Sequence, residues 1–327
     1  MCIRDSVEPI SAEAFAEALR LRDLGFRTRG VQIMLLTALV LRPLPTEVAD
    51  RIASFANELS VDESMIVVAR DFAHGSLGLA AIDFERNGYT ADWHVEDAGA
   101  LHTSTPLASA WDTSVHDPLL AARWAALEAL PEASLGRLVW ELYRARGFAF
   151  PGTPGSAPPL LAQHDWVHVL ADYGTTVEAE LEVFGFIGWA NDDMHAFSLL
   201  AMVVSLFETG YLRTAAGLFE SSVGHLSADS HVGVRLADAM RRAALCHDNV
   251  TGSDSVDFLR IDWFELAPMH IDDVRARFRL GPKSPIAIAA GSAGPREPGG
   301  ISPFQLEAGA KMAEAAGVAY NSYGASA

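Results

Sequence analysis

Apolar residues recur at three- and four-residue spacing along most of the chain, the period of an α-helix with one buried face. Residues 11–24 carry Ala12, Phe15, Ala16 and Leu19 in that register. Residues 31–41 are strongly apolar and stop before Pro43, whose ring cannot continue a helix. Residues 46–59 place Val48, Ile52, Phe55 and Leu59 on one face. Ser60-Val61-Asp62-Glu63 has the form of a capping box ahead of an apolar run from Met65. Gly75 predicts the end of that helix, and residues 77–86 predict the next. No run alternates apolar and polar positions with β-branched enrichment, so the pattern predicts an all-α fold, a multi-helix bundle.

The later chain divides in the same way. Residues 88–117 are irregular, with Trp93, Trp111, His94, His102 and His116, and read as a linker or long loop. Helix resumes over 118–130. The four prolines of residues 151–159 predict a rigid non-helical connection, and the next helix starts near Pro159. Residues 196–208 predict a buried helix ended by Thr209-Gly210, followed by helices over 211–223, 230–246 and 271–280. Residues 281–300 are rich in Pro, Gly, Ser and Ala and read as mobile, with a short helix over 303–316. The expected organisation is therefore an N-terminal helical domain over 1–87, a linker over 88–117, a second helical domain over 118–282, and a flexible tail over 283–327.

Composition narrows the function. Half of the 327 residues are hydrophobic, enough for a sizeable core. Asp and Glu number 42 against 24 Lys and Arg, a net charge of −18. The acidity is spread: 18 acidic against 10 basic side chains in residues 1–127, and 24 against 14 in the rest. Phosphate backbones need clustered cations, so nucleic acid is not an expected partner. Cys2 and Cys246 are the only cysteines, which excludes a disulfide framework and a Cys-rich zinc site and suggests a reducing compartment. Any metal must be held by His and carboxylates. Met1–Ser6 lacks an apolar segment behind it and reads as a non-native start. The longest apolar stretch, residues 196–207, is 12 residues, where a membrane span needs about 20.

The sharpest chemical signal is His164-Asp165-Trp166-Val167-His168, with Glu180 following after 11 residues. On a helix His164 and His168 lie one turn apart, about 40° around the axis, and this i, i+4 pair is a Zn²⁺-chelating spacing. Asp165 falls on the same side. On one straight helix Glu180 would stand about 18 Å from His168. Gly174 suits a helix stop, and Thr175-Thr176-Val177-Glu178 suits a capping-box start with Thr175 as N-cap and Glu178 at N3. The chain is therefore expected to break at Gly174 and return, bringing Glu180 towards the imidazoles. Two His and a carboxylate leave positions open, as catalytic metal sites do. No Glu lies between the histidines, so the pattern is not that of the His-Glu-x-x-His metalloproteases. An HD-type phosphohydrolase remains an alternative, since His164 and Asp165 are adjacent; it calls for a further upstream His, and the nearest is His116.

The HDxxH-x11-E motif resembles the hallmark of the coenzyme Q biosynthesis protein 4 family. Its flanks are similar too: Leu130-Pro131-Glu132-Ala133-Ser134-Leu135-Gly136-Arg137, Trp140-Glu141-Leu142-Tyr143, Arg146-Gly147-Phe148, the FGFIGWANDD segment from Phe184 to Asp193, and the segment from Trp263 ending in DDVRARFRL at Leu280. The resemblance spans about residues 128–282. It implies a helical, quinone-biosynthesis-like domain holding Zn²⁺ or another divalent metal through His164, Asp165, His168 and Glu180. It also implies a cleft for a polyprenylated aromatic quinone precursor, oxidative removal of the ring carboxyl at C1, and assembly with other quinone-biosynthesis proteins at a membrane surface. Trp166, Tyr173 and Phe184, with Phe186 and Trp189, flank the ligands and are the expected pocket walls, although each also suits ordinary core packing.

Residues 1–127 and the tail from about 283 lie outside the resemblance, and the N-terminal helices are only vaguely similar to TerB-like domains. The alternatives left open are a non-catalytic lipid-binding scaffold, in which the ion only braces two helices, and the phosphohydrolase. The only lysines are Lys283 and Lys311, so the expectation is a cytoplasmic, bacterial-type protein with at most peripheral contact on the inner membrane face. A homodimer is the base-rate expectation.

Overall fold

Polar side chains mark where many of the helices begin. Ser11, Asp23, Asp117, Ser134, Thr176 and Ser302 each accept a hydrogen bond from a first-turn N–H, satisfying donors that a helix start leaves free. The structure, a computed structural model, describes residues 9–91, 93, 99–193, 195–212 and 224–326. Among these it contains helices and two isolated bridges but no strand. The chain separates into two units, residues 1–88 and 89–327.

The first unit holds α1 (Ala12–Ala18), α2 (Leu24–Leu39), α3 (Thr46–Glu58), α4 (Met65–Ala73) and α5 (Leu77–Asn87). Its core joins Val31 and Leu35 of α2, Ile52 and Phe55 of α3, and Val68 and Phe72 of α4. The helix expected over 11–24 ends early, because Asp23 caps a new one through the Phe26 N–H at 2.8 Å. The capping box expected at Ser60–Glu63 does not form. The Glu63 carboxylate instead accepts from the Met65 N–H and from Gln32 Nε2, both at 3.0 Å, so it serves a buried contact with α2 rather than Ser60.

The second unit comprises α6 (Pro118–Ala125), α7 (Leu135–Arg146), α8 (Gln163–Ala171), α9 (Val177–Ala190), α10 (Phe197–Val203), α11 (His225–Ala228), α12 (Ser230–Ala243), α13 (Trp263–Leu266), α14 (Ile271–Arg277), α15 (Pro285–Ala289) and α16 (Pro303–Ala315). Helix α9 is buried on nearly every side and packs against α8, α10 and α12. Arg235 of α12 reaches Glu182 of α9 at 2.6 Å, an ion pair almost out of solvent. Helix α7 packs against α8, α13 and α16. An aromatic seam ties these layers together: Trp166 stacks on Trp263 with centroids 6.1 Å apart, Trp263 on Phe258 at 6.2 Å, and Phe258 meets Phe186 at 5.2 Å.

Two expected connections are built into this unit. Residues 99–117, expected as a linker, bury Leu101 and Leu107, and Asp117 accepts from Ser104 Oγ at 2.6 Å while capping α6. Residues 283–326, expected as a flexible tail, pack instead: α16 lies on α7, α15 on α12, and Ile301 is buried. The small residues that suggested mobility allow close backbone contact. The segment expected as a buried helix over 196–208 runs as α10 and then a π-turn, Val204–Glu208. The buried Glu208 accepts from the Leu226 and Ser227 N–H groups at 2.8 and 3.0 Å. The helix expected over 211–223 lies outside the described residues from 213 onward, as does Met1–Ser6. Among the described residues no helix is long and apolar enough to cross a membrane.

Trp263 has no exposed surface and joins three aromatic partners. Trp263→Ala is expected to cost about 3–5 kcal/mol, read as a lower denaturation midpoint with an unchanged slope.

Candidate metal centre

The turn between α8 and α9 brings the candidate ligands together, though not at the residues the sequence suggested. Helix α8 ends at Asp172, which adopts the left-handed conformation at φ 64°, one that Asp tolerates better than most residues. The Tyr173 N–H closes back on His168 O at 2.9 Å. The N-cap of α9 is Thr176, which accepts from the Ala179 N–H, not Thr175. Thr175 is taken by other partners: its buried hydroxyl donates to Gln305 Oε1 at 2.7 Å and accepts from Arg146 Nε. Glu178, expected to complete the capping box, lies 2.6 Å from His225 Nδ1. The reversal still lays α9 beside α8, with Glu180 in its first turn.

Glu180 Oε2 stands 3.5 Å from His164 Nε2, and Glu180 Oε1 stands 3.4 Å from His168 Nε2. These three residues are, among the described residues, the one group whose donor atoms converge as metal ligands do, all within 4.8 Å of one another. Each imidazole is anchored through its other nitrogen. His164 Nδ1 contacts Leu161 O, and His168 Nδ1 contacts Tyr173 O at 3.3 Å. With a proton on each Nδ1, both Nε2 lone pairs face the carboxylate. His168 Nε2 is buried and makes no hydrogen bond, a costly state unless a cation or proton lies between it and Glu180. Two donors at about 2.0–2.2 Å from a tetrahedral ion stand about 3.3–3.6 Å apart, and each imidazole nitrogen lies at that distance from one of the two Glu180 oxygens.

Asp165 is close but differently engaged. Its Oδ1 lies 3.5 Å from His164 Nε2, while its Oδ2 accepts from the Tyr143 hydroxyl at 2.5 Å. Burial, and then the Asp165 charge, push the Tyr143 phenol well above its ordinary range, so the hydroxyl stays a donor. The aromatic residues expected to wall a pocket are distributed through the core. Phe184 stacks on the His164 ring with centroids 4.9 Å apart. Trp166 is fully buried against Trp124, Trp263 and Phe264. Tyr173 packs on Phe186 and accepts from Arg242.

Sequence reasoning did not single out Tyr143, Arg146 or Thr175 as parts of the site. Tyr143 and Arg146 sit on α7, and only the folded chain brings that helix to α8. Arg146 is 1% exposed. Burial lowers its guanidinium to about 10, against the favourable charges of Asp165 and Glu180. His195 and His270 lie by Asp193 and Asp272, each with its nearer ring nitrogen over 3 Å away, and His247 by Asp254 at 2.6 Å; none joins the cluster.

No protein-family model matches the sequence, and no curated protein matches it. One solved structure, described as a candidate ubiquinone biosynthesis protein from Nostoc punctiforme PCC 73102, superposes with a TM-score of 0.34 at 15% identity, covering 78% of this chain and 97% of that one.

The charges of the cluster predict how stability depends on pH when no ion is bound. Burial disfavours the His164 imidazolium, but Asp165, Glu180 and the Leu161 carbonyl outweigh it and raise the group from 6.5 to about 9. Burial likewise disfavours the Glu180 carboxylate, yet His168 and His164 lower it from 4.5 to about 2. The His164 contribution to stability is complete below 6.5 and is lost as pH rises through 9; the Glu180 contribution is complete above 4.5 and is lost as pH falls through 2. Metal-free protein is therefore expected to draw most stability from this pair between pH 4.5 and 6.5. Thermal unfolding across pH should show both limbs flattened in His164→Ala.

Proposed function

We propose that this chain is a metal-dependent protein of ubiquinone biosynthesis, which takes a polyprenylated aromatic precursor and removes the ring carboxyl at C1 as CO2, the oxidation there drawing on an external two-electron oxidant such as dioxygen. One observation carries the metal part: a buried imidazole nitrogen without a hydrogen bond, on His168, faces the buried Glu180 carboxylate, with His164 beside it. The HDxxH-x11-E motif and its flanks support the quinone part through the family resemblance. His164, His168 and Glu180 would hold Zn²⁺ or another divalent ion, with Asp165 next to His164. Such an ion, when bound, supplies Lewis acidity towards negative charge developing on an oxygen-substituted ring.

The chain's own groups prepare the site. Leu161 O and Tyr173 O fix the two imidazoles in rotation and tautomer, as carbonyls commonly do behind metal-ligating histidines. Tyr143 holds Asp165, and Phe184 covers the face of His164. Arg146 adds a buried positive charge, which the carboxylates of Asp165 and Glu180 help to hold. Little water reaches these groups, so charge interactions among them are stronger than at the surface. Contacts with other quinone-biosynthesis proteins, a peripheral membrane location and a homodimeric state belong to the same proposal.

A second reading, the non-catalytic scaffold, is favoured by the depth of the site. Side-chain exposure is 8% at His164, 7% at Asp165, 3% at Glu180 and 0% at His168. An ion there would tie α8 to α9 whether or not a substrate reached it. The phosphohydrolase reading has less support, since His116 is exposed and outside the cluster.

His168→Ala and Glu180→Gln are each expected to abolish stoichiometric metal in purified protein, by plasma emission analysis. A fold that survives metal loss favours catalysis, and one that melts with it favours bracing. In a strain lacking the gene, wild type should restore ubiquinone and Glu180→Ala should not. Normal quinone levels without the gene would remove the biosynthetic reading.

A further inference from the structure

Residues 283–305, outside the segment that carries the motif, close around the turn between α8 and α9. The Gly174 N–H donates to Ala293 O at 2.8 Å, and the Thr175 N–H donates to Gly300 O at 2.9 Å. The Thr175 hydroxyl donates to Gln305 and accepts from Arg146, whose Nη2 continues to Pro295 O and Gly300 O at 2.9 and 2.8 Å. Lys283, with only 5% of its side chain exposed, donates to Asp172 O at 2.8 Å and pairs with Asp172 Oδ2 at 3.0 Å. Four consecutive residues between two metal-ligand helices are thus held, or closely flanked, by a segment more than a hundred positions later.

The grip reaches a ligand through one rigid peptide. The C=O of Tyr173 and the N–H of Gly174 belong to the same planar unit and point in opposite directions. One end is held by Ala293 O; the other accepts from His168 Nδ1. Whatever fixes the Gly174 N–H therefore fixes where Tyr173 O points, and so the rotation of the imidazole whose Nε2 faces Glu180. The fit is close enough to require glycine at 174: a Cβ there would come within 2.6 Å of Gly300 O and 2.7 Å of Gly300 Cα.

We propose that residues 283–305 are a positioning strap: by clamping the 172–175 turn they aim His168 at its ion, with Lys283, Gly174 and Thr175 as positioning residues. The proposal rests on the metal reading above. A segment that served stability alone would need no particular partner; this one grips the peptide that orients a ligand.

The test is Zn²⁺ affinity of the purified full chain, by competition with a chromophoric chelator, with the thermal midpoint measured alongside. Lys283→Met, Thr175→Val and Gly174→Ala are expected to weaken Zn²⁺ binding by about 10–100-fold, the effect of losing support behind a ligand. They should also shift the visible absorption of the Co²⁺-loaded protein. Thr175→Ser keeps the hydroxyl and should bind like wild type. Arg277→Leu, which breaks the pair between Arg277 and Asp248 instead, should lower the midpoint and leave affinity unchanged. Folded Lys283→Met and Thr175→Val proteins with wild-type affinity would overturn the strap. So would an equal affinity loss in Arg277→Leu, which would make the effect one of general stability. Should Gly174→Ala fail to fold, the Val and Ser variants at 175 decide the matter alone. If wild type binds no more Zn²⁺ than His168→Ala, the metal reading itself fails and the strap falls with it; wild-type binding that the strap variants leave unchanged defeats the strap alone.

Discussion

A carboxylate removed from water must find positive charge or hydrogen-bond donors, since an isolated buried ion costs several kcal/mol even after relaxation. Glu180 is 2% exposed, and it faces two imidazoles whose other nitrogens are already committed to carbonyls. The arrangement is neutralised in one of two ways: by protons, as the raised His164 and lowered Glu180 describe for the metal-free protein, or by a divalent cation. Helix α9 can be buried on nearly every side because α8, α10 and α12 surround it, and its other buried acid, Glu182, is met by Arg235.

The same economy of buried charge explains the surroundings of the site. Arg146 is as deeply buried as the acids, and its guanidinium donates to a hydroxyl and two backbone carbonyls rather than to a carboxylate. Its charge is left to act through space on Asp165 and Glu180. Lys283 is likewise drawn inward by Asp172. In an acidic chain with two lysines, one of them contacts the turn that joins α8 and α9, so residues late in the chain pack beside the His164, His168 and Glu180 cluster.

Much of this was legible in the sequence. Many helix positions followed from the 3.6-residue period, because burying one face of a helix requires apolar side chains at that spacing, but α7, α13 and α15 were not among them. Helix starts were less legible: the two capping boxes read from spacing, at Ser60 and Thr175, do not form, and the caps that do form at Ser11, Asp23, Asp117, Ser134 and Ser302 were not singled out. His164, His168 and Glu180 were recognisable as a set, since the i, i+4 pair needs only helix geometry and the return of Glu180 needs only a turn. Where local signals failed, a distant partner had claimed the residue. Thr175 has the chemistry of an N-cap but bonds to Arg146 and Gln305; Glu63 has the spacing of a capping box but serves Gln32 and Met65.

Residue spacing alone thus determined that the chain is helical and that two imidazoles and an acid could meet. Tertiary structure decided the rest: that Asp165 is held by Tyr143, that Trp166 stacks in the core, and that residues 283–326, flexible by composition, are packed. The reason is physical. Helix period and capping depend on neighbours within one or two turns, and those are written consecutively in the chain. The satisfaction of buried hydroxyls, guanidinium groups and carbonyls depends on partners as far apart as Arg146 and Gly300, which meet only when the helices have packed.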